Sequence, residues 1–190
     1  MQEIIKADLT ESIEAKKEVL KTLVPKIEEA AKIIIKSIKQ GGKVMFCGNG
    51  GSAADAQHLA AELIGRFKKE RGSLSAIALS TDTSILTSLG NDYGFEIIFS
   101  RQIEGLGKKG DVLVGISTSG ESANVFEAVK KAKSMEIKTI GLLGCLGGRI
   151  SDAVDLAIIV PSKNTPRIQE SHITIGHIIC NLVERELFPQ

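Results

Sequence analysis

Residues 43–62, KVMFCGNGGSAADAQHLAAE, pass from a short apolar run through a glycine-rich turn into a helical pattern. Glycine reaches backbone angles that other residues avoid, and Ser52 is a suitable cap for the helix after the turn. Such a turn points free backbone N–H groups outward, and the positive end of the helix dipole adds to their attraction for anions. The segment therefore predicts a phosphate site between a buried strand and a helix.

Two side chains capable of acid–base chemistry follow on the same predicted helix. His58 and Glu62 are four residues apart, so they lie on one face about one turn from each other. Imidazole and carboxylate groups both bind Zn²⁺, and either can move a proton. A surface pair is the alternative interpretation, but the position directly behind a phosphate turn favours a functional pair.

Composition narrows the class of protein. The 190 residues are 43% hydrophobic, which is enough for one well-buried domain over residues 1–190 and short for two. The 24 Lys and Arg residues against 23 Asp and Glu residues argue against general attraction to nucleic acid or an anionic membrane. No apolar run approaches the ~20 residues that a membrane helix needs, and no leader is recognised, so we expect a soluble cytoplasmic protein.

The three cysteines predict no metal or disulfide site. They show no metal-type pairing and sit among apolar neighbours, so we expect buried, reduced thiols. They are Cys47, Cys145 and Cys180.

Apolar periodicity predicts N-terminal helices over residues 1–40, divided at Pro25, and an α/β core over residues 41–190. The first helix is apolar enough either to contact another subunit or to pack on the sheet. In the core, apolar segments alternate with helical patterns, which indicates right-handed crossovers and a five-stranded parallel sheet in a three-layer sandwich. The predicted strands are residues 43–47, 75–79, 111–116, 138–143 and 156–160. Residues 90–94 are predicted as a turn, residues 95–106 as a helix and residues 147–151 as a brief connecting segment.

A second loop with phosphate-binding character follows the third predicted strand and also opens a helix. Residues 117–122 read STSGES and hold four hydroxyls. Hydroxyl and backbone N–H groups bind phosphate without a lysine. Helix capping is the alternative for either loop alone. Because ligands of such sheets bind beyond the carboxyl ends of the strands, the two loops together favour a sugar phosphate.

The first loop also matches the weak dinucleotide pattern G-x-G-x-x-A over residues 48–53. The acid that would bind the ribose is expected about 20 residues later, and Asp82 lies too far along the chain. No Gly-Lys-Ser/Thr follows the turn, which disfavours a nucleoside triphosphate loop. The sequence therefore disfavours both kinds of nucleotide site.

The remaining histidines, His172 and His177, lie in a last helix predicted from Pro166 to about Leu187. Gln169 and His177 are eight residues apart, about 12 Å along a helix and ~80° around it. They can share one metal ion only if Gln169 lies at a frayed helix start or if the two residues come from different chains. Spacing alone does not decide whether these residues form a metal site.

These motifs together resemble the bacterial phosphoheptose isomerases of the sugar isomerase (SIS) family over essentially the whole chain. The matching segments are residues 47–52, 58–62, 90–92, 115–122 and 167–170, with His177. The resemblance implies a flavodoxin-like SIS fold and conversion of sedoheptulose 7-phosphate to D-glycero-D-manno-heptose 7-phosphate through a cis-enediol. It also implies a place in heptose biosynthesis for lipopolysaccharide or other surface glycans, and a homotetramer with sites between subunits.

The resemblance also implies roles for particular residues. Glu62 would be the catalytic base and His177 the acid. One Zn²⁺ per subunit would be bound by His58, Glu62, Gln169 and His177. The substrate would be bound by Asn49, Gly50, Gly51, Ser52, Glu62, Asn91, Asp92, Ser117, Thr118, Ser119, Ser122 and Gln169. Family members often carry a polar residue before the pair Gly147-Gly148, whereas here Cys145-Leu146 is apolar, a departure that we expect to affect only a peripheral loop.

Three other functions compete. A paralogue of similar fold binds the bacterial replication initiator, but it lacks the acid and the histidine that stand here at Glu62 and His177. Another SIS isomerase, such as one for arabinose 5-phosphate, usually carries extra regulatory domains for which this chain has no room. A substrate sensor without turnover is the third alternative.

Overall fold

Eight α-helices and five strands are found in the computed structural model, which describes residues 1–189. The N-terminal helices are α1 (Gln2–Thr22) and α2 (Val24–Lys39). The core continues with β1 (Val44–Gly48), α3 (Gly51–Ile64), β2 (Ala76–Ala78), α4 (Thr83–Asp92), a 3₁₀ turn (Phe95–Ile97), α5 (Ile98–Leu106), β3 (Val112–Ser117), α6 (Ala123–Ser134), β4 (Lys138–Leu143), α7 (Gly148–Ala153), β5 (Leu156–Ile159) and α8 (Thr165–Leu187).

All strand pairs of the sheet are parallel, and the strand order is β2-β1-β3-β4-β5. In the register of β1 with β3, Val44 pairs with Val112 and Gly48 pairs with Ile116. The chain turns in opposite directions from β1 and from β3, so their shared carboxyl edge is the switch point at which ligands of such sheets bind. The predicted flavodoxin-like sheet is confirmed.

Alternate strand residues point to opposite faces and build two apolar cores. Val44 and Phe46 of β1 pack in a core with α1, α2, α3 and α8. Met45 and Cys47 pack in a second core with α5, α6 and α7. This alternation follows from the two-residue period of a strand. The sheet therefore lies between two helical layers, as predicted.

Helix α1 covers little of the core. The break between α1 and α2 falls at Leu23, just before Pro25, which lies in the first turn of α2. Val19 is the buried residue of α1, whereas five large apolar side chains of this helix are more than half exposed. These are Ile4, Ile5, Leu9, Ile13 and Leu20. Ordinary packing against the sheet therefore does not account for the apolar face of α1.

One local prediction was wrong, and two others are made more precise. Residues 90–92 belong to the end of α4 and not to a turn, because Asp82 caps this helix by accepting the N–H of Ile85 at 2.9 Å and the helix continues to Asp92, with Tyr93 as its C-cap. Gly94 then ends it with φ +103°. The helix predicted over residues 95–106 begins as a 3₁₀ turn. Residues 148–153 form the short helix α7.

The cysteines differ in their surroundings. Cys47 and Cys180 are buried, as predicted, and burial raises the pKa of each thiol to about 12. The prediction was wrong for Cys145, which is only partly buried because it lies in a tight turn after β4 with φ +55°. Over residues 1–189, no helix combines the length and the apolar character that crossing a membrane requires.

A buried histidine ties α8 to the sheet. The side chain of His172 is fully buried, and its Nε2–H donates to the carbonyl of Leu143 at 2.9 Å, at the end of β4. Its Nδ1 has no hydrogen-bond partner among the described residues. Desolvation lowers the pKa of His172 to about 4, and the hydrogen bond to Leu143 only partly opposes this shift. The imidazole is therefore neutral at pH 7.

Stability should consequently fall in mild acid. The unfolded chain takes up a proton at His172 near pH 6.5, whereas the folded chain does so only near pH 4, so stability is lost as the pH falls between these values. Between pH 7 and pH 5 this residue alone should remove about 2 kcal/mol from the free energy of unfolding. Urea unfolding at both pH values measures the loss. Over the same pH range, the free energy of unfolding of His172→Gln should fall by that amount less than the free energy of the wild type. Equal falls in the two proteins would contradict the prediction.

Candidate active site

The two predicted phosphate loops lie side by side at the switch point. The loop after β1 and the loop after β3 leave adjacent strands. A reciprocal pair of amide hydrogen bonds joins the first loop to the start of α6, the helix that the second loop opens. Nδ2 of Asn49 donates to Oδ1 of Asn124, and Nδ2 of Asn124 donates to Oδ1 of Asn49, each at 2.8 Å. Oδ1 of Asn124 also accepts the N–H of Val125. The two loops are therefore held as one unit.

The first loop is tighter than the sequence suggests. Gly50 has φ +54° and occupies the N-cap position of α3, so Ser52 is not the predicted cap but a buried residue of the first turn. A Cβ on Gly51 would lie 2.6 Å from Nε2 of Gln169. Gly50 is thus required for its backbone angles, whereas Gly51 leaves room for the end of the Gln169 side chain.

The hydroxyl loop is organised by its own side chains. The Oγ atoms of Ser117 and Ser122 are 2.9 Å apart, and Oγ of Ser117 accepts the N–H of Gly120 at 3.1 Å. Oγ of Ser119 accepts the N–H of Glu121 at 3.1 Å and lies exposed at the tip. Thr118 is partly buried. All four predicted hydroxyl residues therefore lie within one ordered turn.

The segment around Gly147 supports this turn. Gly120 has φ +73°, and a Cβ there would overlap the carbonyl oxygen of Gly147. Oε1 of Glu121 accepts the N–H of Arg149 at 2.9 Å. The backbone of Gly147 therefore packs directly against the hydroxyl loop. The expectation that the departure at Cys145-Leu146 affects only a peripheral loop stays a prediction.

Gly120→Ala should damage this loop. The added Cβ meets backbone in a left-handed conformation, so we expect a loss of at least ~2 kcal/mol of stability and weaker retention of inorganic phosphate. Urea unfolding and calorimetric titration with phosphate measure the two effects. Gly105→Ala is the matched control, because Gly105 lies in α5 and its Cβ would meet nothing within 4 Å. Equal stability of the two variants would contradict the prediction.

A cluster of three side chains links α3 to α8. Nε2 of His58 is 3.0 Å from Oε1 of Glu62 and 3.2 Å from Nε2 of His177. The two imidazole rings meet edge to face, with centroids 4.9 Å apart. His58 is half exposed and Glu62 is partly buried, so the cluster is open to a ligand.

Close packing of the two helices brings the histidines together. A Cβ on Gly176 would lie 2.5 Å from Cδ2 of Leu59, a buried side chain. His177 follows Gly176 in α8, and His58 precedes Leu59 in α3. The absence of a side chain at Gly176 therefore sets the separation of the helices that allows the imidazoles to meet.

The donor set of this cluster fits a metal ion. One ligand atom from each of His58, Glu62 and His177 lies within 4.8 Å of the other two. Two imidazole nitrogens and a carboxylate oxygen are the ligands that catalytic zinc sites use. Gln169, the predicted fourth ligand, lies in the second turn of α8 beside Gly51, about 12 Å along the helix from His177. It is not at a frayed helix start, so a single chain brings three of the four predicted ligands together.

Asn91 and Asp92 are exposed at the end of α4, where Nδ2 of Asn91 donates to Oδ1 of Asp92 at 2.8 Å. No side-chain hydrogen bond of residues 1–189 connects them to either phosphate loop.

A buried ion pair below the cluster was missed in the sequence. The guanidinium of Arg71 contacts the carboxylate of Glu184 at 3.2 Å, and both side chains are almost fully buried. Burial raises the pKa of Glu184, but hydrogen bonds from the backbone N–H groups of residues 67–69 and from Arg71 outweigh it and hold the pKa below its ordinary value. Arg71 also donates to the carbonyls of Glu62 and Leu63 at 2.8 Å each. The pair therefore fixes the end of α3 that carries Glu62.

Asp55 also lies near the cluster. It precedes His58 by about one turn, and its Oδ2 is buried without a hydrogen-bond partner among the described residues. Desolvation raises the pKa of Asp55, and the neighbouring His58 offsets part of this effect.

The geometry defines a class: an α/β protein with two phosphate-type loops at a sheet switch point and a His–Glu–His cluster on the adjoining helices. A family model described as SIS domain matches residues 9–144. The phosphoheptose isomerase of a Nitratiruptor species is 61% identical over 184 residues, which cover 97% of this chain and 98% of the relative.

Two further relatives agree. The phosphoheptose isomerase of Clostridium acetobutylicum is 53% identical and covers 99% of this chain and 97% of its own. The solved phosphoheptose isomerase of Neisseria gonorrhoeae superposes with a TM-score of 0.92 at 49% identity, covering 96% of this chain and 98% of that one. The chain belongs to the phosphoheptose isomerase family of SIS domain proteins. The predicted family and the predicted isomerase class are confirmed.

Proposed function

We propose that this enzyme converts sedoheptulose 7-phosphate to D-glycero-D-manno-heptose 7-phosphate in the cytoplasm, in heptose biosynthesis for lipopolysaccharide or other surface glycans. The observation that carries the proposal is the His58–Glu62–His177 cluster, which joins α3, the helix that leaves the first phosphate loop, to α8. Identity above 50% to phosphoheptose isomerases over nearly the full chain supports the substrate. Because the loops contain no lysine, phosphate is held by N–H and hydroxyl groups.

The exchange of aldose and ketose requires one proton to move between C1 and C2 through a cis-enediol. Glu62 is the group we assign to take that proton, and His177 is the acid that protonates oxygen or the opposite carbon. The phosphate loops orient the reacting end by holding the distant phosphate. The loop residues that contribute to this phosphate binding are Asn49, Gly50, Gly51, Ser52, Ser117, Thr118, Ser119 and Ser122.

His58, Glu62 and His177 would hold one zinc ion per subunit, which when bound polarises the carbonyl oxygen of the sugar. We propose that Gln169 of a neighbouring copy supplies the fourth ligand, since Gln169 of the same chain lies beside Gly51. The same neighbour would bring Asn91 and Asp92 to the substrate. The exposed apolar face of α1 supports an assembly of copies, and we propose a homotetramer.

The test is NMR of sedoheptulose 7-phosphate in D₂O with added zinc and then with a chelator. Deuterium at the carbon next to the carbonyl, together with heptose phosphate, is the expected result, and chelation should stop both. Light scattering of the same sample should give about four times the chain mass of 20.3 kDa. Substrate binding without exchange would contradict the proposed isomerase activity. Turnover of arabinose 5-phosphate alone would contradict the proposed substrate.

A further inference from the structure

The loop between α3 and β2 contacts one of the two residues that we assign to proton transfer. The ring of Phe67 lies against the imidazole of His177, with centroids 5.6 Å apart and planes tilted by 37°. His177 is therefore in contact with two rings, those of Phe67 and His58. Phe67 itself is partly buried.

The orientation of His177 depends on this packing. A histidine that binds a metal usually donates its other ring N–H to a carboxylate or a carbonyl, which fixes the ring. Among residues 1–189, the hydrogen-bond contact of the His177 ring is with Nε2 of His58, and no protein group holds Nδ1. Rotation of the ring is therefore limited by its neighbours and not by a second hydrogen bond.

The position of Phe67 is set by the helix that carries His177. The N–H of Phe67 donates to Oε2 of Glu184 at 2.9 Å, and the N–H groups of Lys68 and Lys69 donate to Oε1. Glu184 follows His177 by seven residues, which is two turns on the same face of α8. The Phe67 backbone and the His177 ring thus share one rigid support.

The same loop is tied to the helix that carries Glu62. Arg71 pairs with Glu184 and donates to the carbonyls of Glu62, Leu63 and Gly65. The loop therefore sets the position of both the proposed base and the proposed acid. Its one ring in contact with the cluster is that of Phe67.

We propose that Phe67 is a positioning residue that keeps Nε2 of His177 directed at His58 and Glu62. The inference rests on the proposed function for the role of His177, and it adds a residue that neither the phosphate loops nor the donor cluster includes. A side chain without a flat face fills the space beside His177 but does not fix the plane of its ring.

The kinetic test compares Phe67→Leu with Phe67→Tyr. Leucine keeps the backbone N–H that binds Glu184, so the loop stays in place while the ring contact is lost. We expect Phe67→Leu to lower kcat by about 10–100-fold with KM changed less than about threefold, and Phe67→Tyr to restore kcat to within about threefold. Phe188→Leu is the matched control, because Phe188 packs on Arg71 and not on His177, and its kcat should remain near that of the wild type.

A second readout does not need the loaded enzyme. In the metal-free protein, the ring protons of His177 should shift in the NMR spectrum of Phe67→Leu because the ring current of Phe67 is gone, whereas those of His172 should not. Unchanged His177 resonances, or a kcat of Phe67→Leu close to that of the wild type, would overturn the proposal. An equal loss of kcat in Phe188→Leu would also overturn it. If the wild type itself lacks isomerase activity, the proposed function fails, and the His177 resonances still decide the positioning role.

Discussion

Glu62→Gln should lower kcat by about 10²–10⁴-fold, because the amide has no basic oxygen to accept the proton that moves between C1 and C2. Glutamine has nearly the same size as glutamate, so the substitution should leave the fold unchanged. Residue 62 can still contact His58, which lies 3.0 Å away in the wild type. Residue 62 belongs to neither phosphate loop, so the affinity for inorganic phosphate should stay near that of the wild type. Steady-state kinetics and calorimetric titration with phosphate measure the two quantities.

The control for this variant is Glu70→Gln. Glu70 is an exposed carboxylate paired with Arg66 at 3.5 Å, so its replacement should leave kcat unchanged. Near-normal turnover in both Glu62→Gln and His177→Gln would refute the assigned roles. Loss of phosphate binding in Glu62→Gln would indicate a structural effect and not a chemical one.

Glu184→Gln should reduce the free energy of unfolding by about 3–5 kcal/mol, since it leaves the buried guanidinium of Arg71 without its counter-charge. The amide oxygen can still accept backbone N–H groups, so the loss reports mainly on the charge. Urea unfolding at pH 7 gives the change directly. Glu186→Gln is the matched control on the same helix, because the Glu186–Lys39 pair is exposed and should contribute only about 0–1 kcal/mol. Similar losses for the two variants would contradict the prediction.

The same carboxylate adds a pH dependence. The pKa of Glu184 is lowered in the folded protein, so its contribution to stability is present at neutral pH and is lost as the pH falls through that lowered value. This loss lies at lower pH than the loss from His172, whose depressed pKa acts below pH 6.5.

The fold could be predicted because its patterns are local. Continuous apolar strands such as β3 indicate a parallel sheet buried on both faces, and helical periods between them require crossovers. The predicted turn at Gly90 was wrong because composition favours a turn there, while the cap at Asp82 and continued helical hydrogen bonding determine the structure. The cap and the helical hydrogen bonds thus outweighed a weak turn preference of the composition.

The site was only partly predictable. Spacing placed His58 and Glu62 on one face of a helix, but the contact of His58 with His177 depends on packing at Gly176, which spacing does not encode. Asn124 and Phe67 were missed because their roles arise from partners far along the chain. Glu184 did carry a signal, since a charged residue among the buried positions of α8 requires a partner. That partner, Arg71, lies in a loop without a recognisable pattern.

Contact between residues 58 and 177 has a consequence for the order of synthesis. The ribosome completes β1 to β5 before α8 emerges, and the chain segments that emerge first can fold first. Until α8 docks, the nascent chain holds His58 and Glu62 without His177, and the apolar core shared by α2, α3 and α8 is incomplete. Two phosphate-type loops thus precede a metal-type cluster in assembly. We expect a growing chain to be able to bind a sugar phosphate before it is able to isomerise one.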